Sequence, residues 1–374
     1  MRLRRRALAA AGSGRDCGGT ERLGKLREGL RVTGPPLVAG PHSPATSSPP
    51  RSPGSVRRTT SIDTVRPDGP GGALLVDARG RDLLTRHDDS NAAAEVVDEV
   101  ALTLRLGAAS HPLVDVHADR PAGGVPDLRL LVGARIGSSF RRLLDRTMPA
   151  ERDRGSILHL LLDDVVGAVL VSGYALLHAD ALPPQAGIVD VTVARLGDRC
   201  AGWALDGGFI ANLRDTGRLA TPHGPAAPTL TSLDGDPHAW HALAPLPPNS
   251  TRRRRRLDVL APGTGGLHAI DAHFRDTHVD GDGRETVVHE HAGHGFVDAR
   301  HRRIVELSAE ALVLPWVECP AAVAGAERLQ GTTFDDVRLR VRDELVGTAS
   351  CTHLNDTLRS LADLDALLPP RAAL

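Results

Sequence analysis

"GLHAIDAHFRDTHV" (residues 266–279) nearly alternates apolar and polar residues between a glycine and Asp280, the pattern of a β-strand with two unlike faces. Its centre, "IDAHFRD" (270–276), resembles "VDARGRD" (76–82), with Asp, Ala, Arg and Asp at matched places. Three more pairs keep the same order. "RRTTSID" (57–63) resembles "RRRRRLD" (252–258), "LVGARIGSSFRRLLDR" (131–146) resembles "LQGTTFDDVRLRVRDE" (329–344), and "SILHLLLDDVVGAVL" (156–170) resembles "SCTHLNDTLRSLADL" (350–364). Taken in chain order, the offsets are 195, 194, 198 and 194 residues. Order and spacing both survive, so the chain reads as one unit written twice. The alternative is convergent strand and helix composition in a biased proteome.

Each copy reads alike. Near-alternating stretches come first: "GALLVDARGRDLL" and "EVALTLRL", then "GLHAIDAHFRDTHV", "ETVVHEHAGHGFVDA" and "RIVELSAEALVLP". Bounded by Gly, Asp and Pro, they predict antiparallel strands. Two helices close each copy, near 138–147 and 156–170, and near 333–346 and 352–368. The expected class is α+β, two related units of an antiparallel strand meander followed by two helices, with a pseudo-twofold relation as one arrangement. The division is 1–56 leader and Pro/Ser linker, 57–220 first unit with a hairpin extension at 187–213, 221–250 Pro-rich connector, and 251–374 second unit. Residues 1–34 are expected to be disordered or an over-long gene start. "PPLVAGPHSPATSSPPRSPGSV" (35–56) is expected to be a linker with no core of its own.

At 374 residues the chain has room for two domains. A net charge of −1 gives no global attraction to nucleic acid or membrane. Lys25 is the sole lysine, so lysine-dependent phosphate loops and Schiff-base chemistry are excluded. The sequence has no G-x-S-x-G elbow, no H-E-x-x-H and no helix-opening G-x-G-x-x-G. Cys17, Cys200, Cys319 and Cys351 form no C-x-x-C pair, and the basic N-terminus precedes an apolar run too short and glycine-broken for secretion. Free thiols in a reducing cytosol are expected.

"RRTTSIDTVRPDG", "GSILHLLLDDVVGAVLVSGYA", "CAGWALDGGFI", "LPWVECPAA" and "CTHLNDTLRSLADL" resemble the domain of unknown function 2889 family in its long actinobacterial form, over roughly 52–368. The resemblance implies a cytoplasmic bacterial protein with no assigned reaction, associated with aromatic or acyl-thioester catabolism. Ile157 stands where the second copy has Cys351, so thiol chemistry belongs to the second copy alone.

Cys351 and His353 open the last leucine-striped helix, with Ser350 or Thr352 as its N-cap. Two residues apart on a helix lie about 200° apart, so this pair can share a ligand only if Cys351 is still in the loop. A thiol at a helix start suits a nucleophile; a small buried hydrophobe is the other reading. Cys319, before a Pro-Ala turn, joins the same cluster if its strand ends over that helix. His289 and His291 share one strand face, as a chelating pair must, with His294, His273 or His278 as a third ligand; an exposed strand face is the alternative. Asp77, Arg81 and Asp82 recur as Asp271, Arg275 and Asp276, an anion-reading patch or a charge-defended edge. "RRRRR" (252–256), in a neutral chain with nine aromatics, predicts no nucleic-acid contact, and as a strand its alternate arginines point to solvent.

The expected function is an enzyme or enzyme-like protein of small-molecule catabolism, aromatic or acyl-thioester, with a Cys/His site in the second unit. A non-catalytic accessory or ligand-binding protein is the alternative, and a metal-binding regulator the third. The sequence specifies no cofactor. A small anionic ligand and a partner protein stay open; nucleic acid and membrane are not expected.

Overall fold

The computed structural model describes residues 34–86, 94–121, 123–185, 187–230, 235–263 and 265–370. The leader expected at 1–34, with Cys17 and Lys25, lies outside them apart from Gly34. The strands are β1 (Val56–Val65), β2 (Leu74–Thr85), β3 (Ala94–Leu106), β4 (Leu113–Asp119), β5 (Ser250–Val259), β6 (Leu267–Val279), β7 (Glu285–Asp298) and β8 (Arg303–Val313). They form one eight-stranded sheet in the order β4-β3-β2-β1-β5-β6-β7-β8. Every neighbouring pair is antiparallel. Both halves of the chain therefore share a single sheet, joined where β1 pairs with β5.

The helices are α1 (Ser138–Thr147), α2 (Pro149–Asp153), α3 (Ile157–Val171), α4 (Gly173–His178), α5 (Val189–Leu196), α6 (Gly208–Thr216), α7 (Phe334–Glu344) and α8 (Thr352–Ser360). The class is α+β, as the alternation predicts. Leu74, Val76, Leu102 and Leu104 of the first meander pack with Phe140, Leu144, Leu158 and Leu161 of α1 and α3. Leu257, Ile270, Val297 and Ile304 pack with Val337, Val341, Leu354 and Leu358 of α7 and α8. The run Ile157–His178 has the length and composition of a membrane span, yet 67 % of its most apolar window is buried inside the fold.

The centre of the sheet is ionic. Arg57 donates to both oxygens of Asp258 at 2.6 and 2.8 Å, and Arg252 donates to both of Asp63 at 2.6 Å each. One residue further along, Arg58 clasps Asp82 at 2.7 Å twice, and Arg253 clasps Asp276 at 2.9 and 3.1 Å. The arginine run thus does not point to solvent: it lies in a central strand covered on both faces, and Arg252, Arg253, Arg255 and Arg256 are all buried. Arg252, Arg253 and Arg255 are tolerated because a carboxylate meets each fork in two-point geometry, and Arg256 because Asp258 and Asp271 each take one of its nitrogens.

The Pro-rich stretches supply the cover. Arg57 donates to the carbonyls of Ala239 and Pro49, Arg252 to Ala244, and Arg275 to Pro228 and Ala45. Trp240 Nε1 donates to Ser48 Oγ, tying the two stretches together. Ala45 and Pro49 of the expected linker, and Pro228, Ala239 and Ala244 of the expected connector, therefore lie on the sheet's back face. Proline-rich backbone suits this place, since it offers carbonyls to guanidinium groups and has fewer N–H groups of its own to satisfy.

The hairpin expected at 187–213 is replaced by α5 and α6. In "VDVTVARL" the β-branched residues suggest a strand, but Val189, Val193 and Leu196 fall at helical spacing and pack on Phe209 and Trp316.

Candidate functional site

Two buried arginines set the ground beneath the site. On the helix face of β5, Arg253 Nη1 donates to Asp164 at 2.7 Å and to Asp356 at 2.8 Å, while Arg255 clasps Asp164 at 2.5 and 2.7 Å. Both guanidinium groups lie 4.9 Å from the ring centroid of Phe274. Asp164 belongs to α3 and Asp356 to α8, so this network pins one helix from each half to the joint of the sheet. Gly167 of α3 makes room for it, since a Cβ there would collide with the Arg253 guanidinium and the Asp356 carboxylate.

Beside this network β7 delivers His289. A register shift between Asp276 and Thr277 sets His289 directly opposite Asp276. α8 delivers His353, whose ring stacks on His289 with centroids 3.5 Å apart. His353 Nε2 lies 3.9 Å from Asp276 Oδ2. Neither His353 Nε2 nor His289 Nδ1 has a hydrogen-bond partner among the described residues, although both are buried. Burial, reinforced by neighbouring positive charge, holds both imidazoles well below the ordinary histidine range, so both are neutral. Burial pushes Asp276 up to about 6 against the pull of Arg253.

Cys351 is the N-cap residue of α8, and its side chain makes no capping bond. The caps expected of Ser350 and Thr352 are not made; Ser350 Oγ donates instead to Gly347 O at 2.8 Å. With its extended backbone, Cys351 still belongs to the loop and so can lie near His353. Its Sγ is 3.9 Å from His353 Nδ1 and 3.8 Å from His291 Nε2. Burial pushes its thiol up to about 12, and it pushes that of Cys319 up too. The features that lower a thiol's pKa do not outweigh this.

Above the histidines opens a cavity of about 200 Å³. Tyr174, Trp203, Phe209 and Trp316 line it, with Leu177 and Leu196, and His289, His353, Cys351 and Cys319 reach it from below. Gly202 makes room for the Cys319 sulfur, with which a Cβ there would collide.

The structure thus brings Cys319, Cys351, His353 and His289 together, with Asp276 behind them. It separates the expected pair His289 and His291, for His291 turns to Cys351 and Phe274. The expected anion patch does not assemble. Asp77 pairs with Arg79 in the open, and Arg81 donates to His238 O at 2.7 Å. Asp82 is held by Arg58, Asp271 by Arg256, and Arg275 by Glu290. Each arginine is already engaged by protein oxygens. Sequence reasoning missed the aromatic lining and the Arg253–Asp164–Asp356 network. A signal for the lining existed, since two of the three tryptophans sit in "CAGW" and "LPWVEC" beside cysteines.

In the first half, the position opposite Asp82 is Asp98, and His159 Nε2 turns to Asp145 Oδ1 at 3.3 Å. No imidazole pair forms there among the described residues.

Residues 251–366 match a family described as protein of unknown function, DUF2889. The matched segment carries β5 to β8 and α8, and with them Asp276, His289, Cys351 and His353. No curated protein and no solved structure matches the chain.

Proposed function

We propose that this protein takes one small, mostly apolar compound, aromatic or acyl in character, into the Trp203–Trp316 cavity and acts on its polar end through His289 and His353. The observation that carries this reading is a cavity of about 200 Å³, apolar on its walls and imidazole on its floor. A cavity of about 150 Å³ is enough to hold benzene, so this one suits a single substituted ring or a short acyl chain. Neutral imidazoles can accept a hydrogen bond from a phenol or a carboxylic acid, or donate one to a carbonyl. The buried thiol of Cys351 is not the group on which the reading rests.

A setting in cytoplasmic bacterial small-molecule catabolism goes with this proposal. Free thiols at Cys200, Cys319 and Cys351 support a reducing compartment. Non-catalytic ligand binding is the second reading, favoured by the burial of all the polar floor groups.

Internal duplication is proposed with it. Its support is that Arg57–Asp258 mirrors Arg252–Asp63, and Arg58–Asp82 mirrors Arg253–Asp276, across the β1–β5 pair. The first unit then supplies part of the cavity wall through Tyr174, Trp203 and Phe209, and the imidazoles and Cys351 belong to the second.

Titration of the purified chain with single-ring phenols, benzoates and short acyl compounds, read by tryptophan fluorescence, tests the ligand reading. Saturable binding is expected, abolished by Leu177→Trp, which fills the cavity. Binding that Leu177→Trp leaves unchanged would place the ligand elsewhere.

A further inference from the structure

We infer that Asp276, His289 and His353 form a site for one divalent transition-metal ion of the zinc or ferrous class, open toward the aromatic cavity. One ligand atom from each of the three lies within 4.8 Å of the other two, and all three residues are buried. A cation held at about 2.0–2.2 Å by nitrogen and oxygen ligands sets them roughly 3–3.5 Å apart. To meet one ion in their own ring planes, the two stacked imidazoles must tilt out of parallel by side-chain rotation.

The unpartnered nitrogens are the second observation. His353 Nε2 and His289 Nδ1 are buried without a hydrogen-bond partner among the described residues, on side chains 7 % and 3 % exposed. Leaving a buried polar atom unsatisfied costs about 1–3 kcal/mol, and each of the two histidines grouped with Asp276 carries one such atom. Stacking two imidazoles leaves both deficits in place. A cation satisfies both at once, because neutral imidazole is the metal-binding form.

The surroundings suit this role. His353 Nδ1 faces Thr352 Oγ1 at 3.4 Å and Cys351 Sγ at 3.9 Å, which leaves Nε2 for the ion. Arg253 is the obvious objection, since it clasps Asp276. Its charge is, however, divided among Asp276, Asp164 and Asp356, and its Nε and Nη2 contacts leave further lone pairs on the Asp276 oxygens. Two histidines, one carboxylate and an open side describe a site that binds and polarises a ligand rather than a closed structural one. The inference rests on the ligand reading only for what the ion would meet; binding of the ion itself is independent of it.

The test uses the full chain, stripped with chelator and titrated with Zn²⁺ and, without oxygen, with Fe²⁺, with anomalous scattering to locate the ion. One ion per chain is expected between Asp276, His289 and His353. His289→Gln and His353→Gln should each weaken binding about tenfold or more, while His178→Gln leaves it unchanged. If Asp276→Asn fails to fold without its partner for Arg253, the two histidine variants and the anomalous peak still decide. No stoichiometric binding, or an ion located away from Asp276, His289 and His353, overturns the inference. So does a site where only ordered water bridges the two imidazoles. The compound titration is run on the stripped protein as well. Compound binding without metal binding sinks this inference alone, and metal binding without compound binding sinks the ligand reading alone.

Discussion

Ile157 lies so close over Gly80 that a side chain at Gly80 would collide with its Cγ2. Gly80 stands opposite Thr60 in β1–β2, and Phe274 stands opposite Arg255 at the corresponding place in β5–β6. The helix position of Ile157 is taken by Cys351 in the second half. The first half thus sets a large helix residue over a glycine, whereas the matched positions of the second half hold the smaller Cys351 and a phenylalanine. Cys351 instead lies beside His291 and His353 and lines the cavity.

Gly167→Ala should destabilise the protein, although it lies inside α3. Helix propensity alone favours alanine by about 1 kcal/mol. Here the new Cβ meets the Arg253 guanidinium and the Asp356 carboxylate, so a net loss is expected, measured as a lower urea midpoint. A gain would mean that α3 and α8 do not approach through Arg253.

Arg253→Met should cost about 3–5 kcal/mol, because it leaves buried carboxylates on Asp276, Asp164 and Asp356 without their cation. Arg79→Ala, which breaks an ion pair whose side chains are half exposed, should stay within about 0.5 kcal/mol. Equal effects in denaturant unfolding would contradict the buried network.

His241 gives the fold a pH dependence. Its ring lies between Ser61 Oγ at 2.8 Å and Thr59 Oγ1 at 2.9 Å on the back face. Burial first, then Arg81 and Arg252, lower it from about 6.5 to about 3. The unfolded chain therefore binds a proton that the folded chain refuses. This contribution is complete above pH 6.5 and is lost as the pH falls toward 3, by up to about 1.4 kcal/mol per unit. His241→Gln should reduce the slope of the unfolding free energy between pH 6.5 and 4, with His278 and His291, each lowered to about 4, supplying part of what remains. An unchanged slope would place the proton uptake elsewhere.

Thiol reagents should separate the cysteines by burial. Cys319 and Cys351 are 7 % and 6 % exposed, whereas Cys200 is partly open to the cavity. In a Cys17→Ser background, Cys200 should label first in native protein and the other two only on unfolding. Fast native labelling of Cys351 would revive it as a nucleophile.

What could be read in the sequence was local. Alternation in "GLHAIDAHFRDTHV" and leucine spacing after Cys351 report strands and helices because each residue's neighbours decide its face. The arginine run misled because burial of a charge depends on what the register sets opposite it. Asp63, Asp258 and Asp276 are visible as acids, but not as partners. The cavity was illegible for the same reason: Tyr174, Trp203, Trp316 and His353 come from four distant segments. His289 was singled out from strand spacing, yet its partner proved to be His353 on a helix rather than His291 on the same strand.

The most direct test of the account is a crystal structure of the chain with the tightest compound from the fluorescence titration. The account predicts the compound's ring between Trp203, Phe209 and Trp316, with its polar end within hydrogen-bonding distance of His289 or His353, or of an ion that they hold. A compound bound outside this cavity, or a cavity closed by its own side chains, would contradict it.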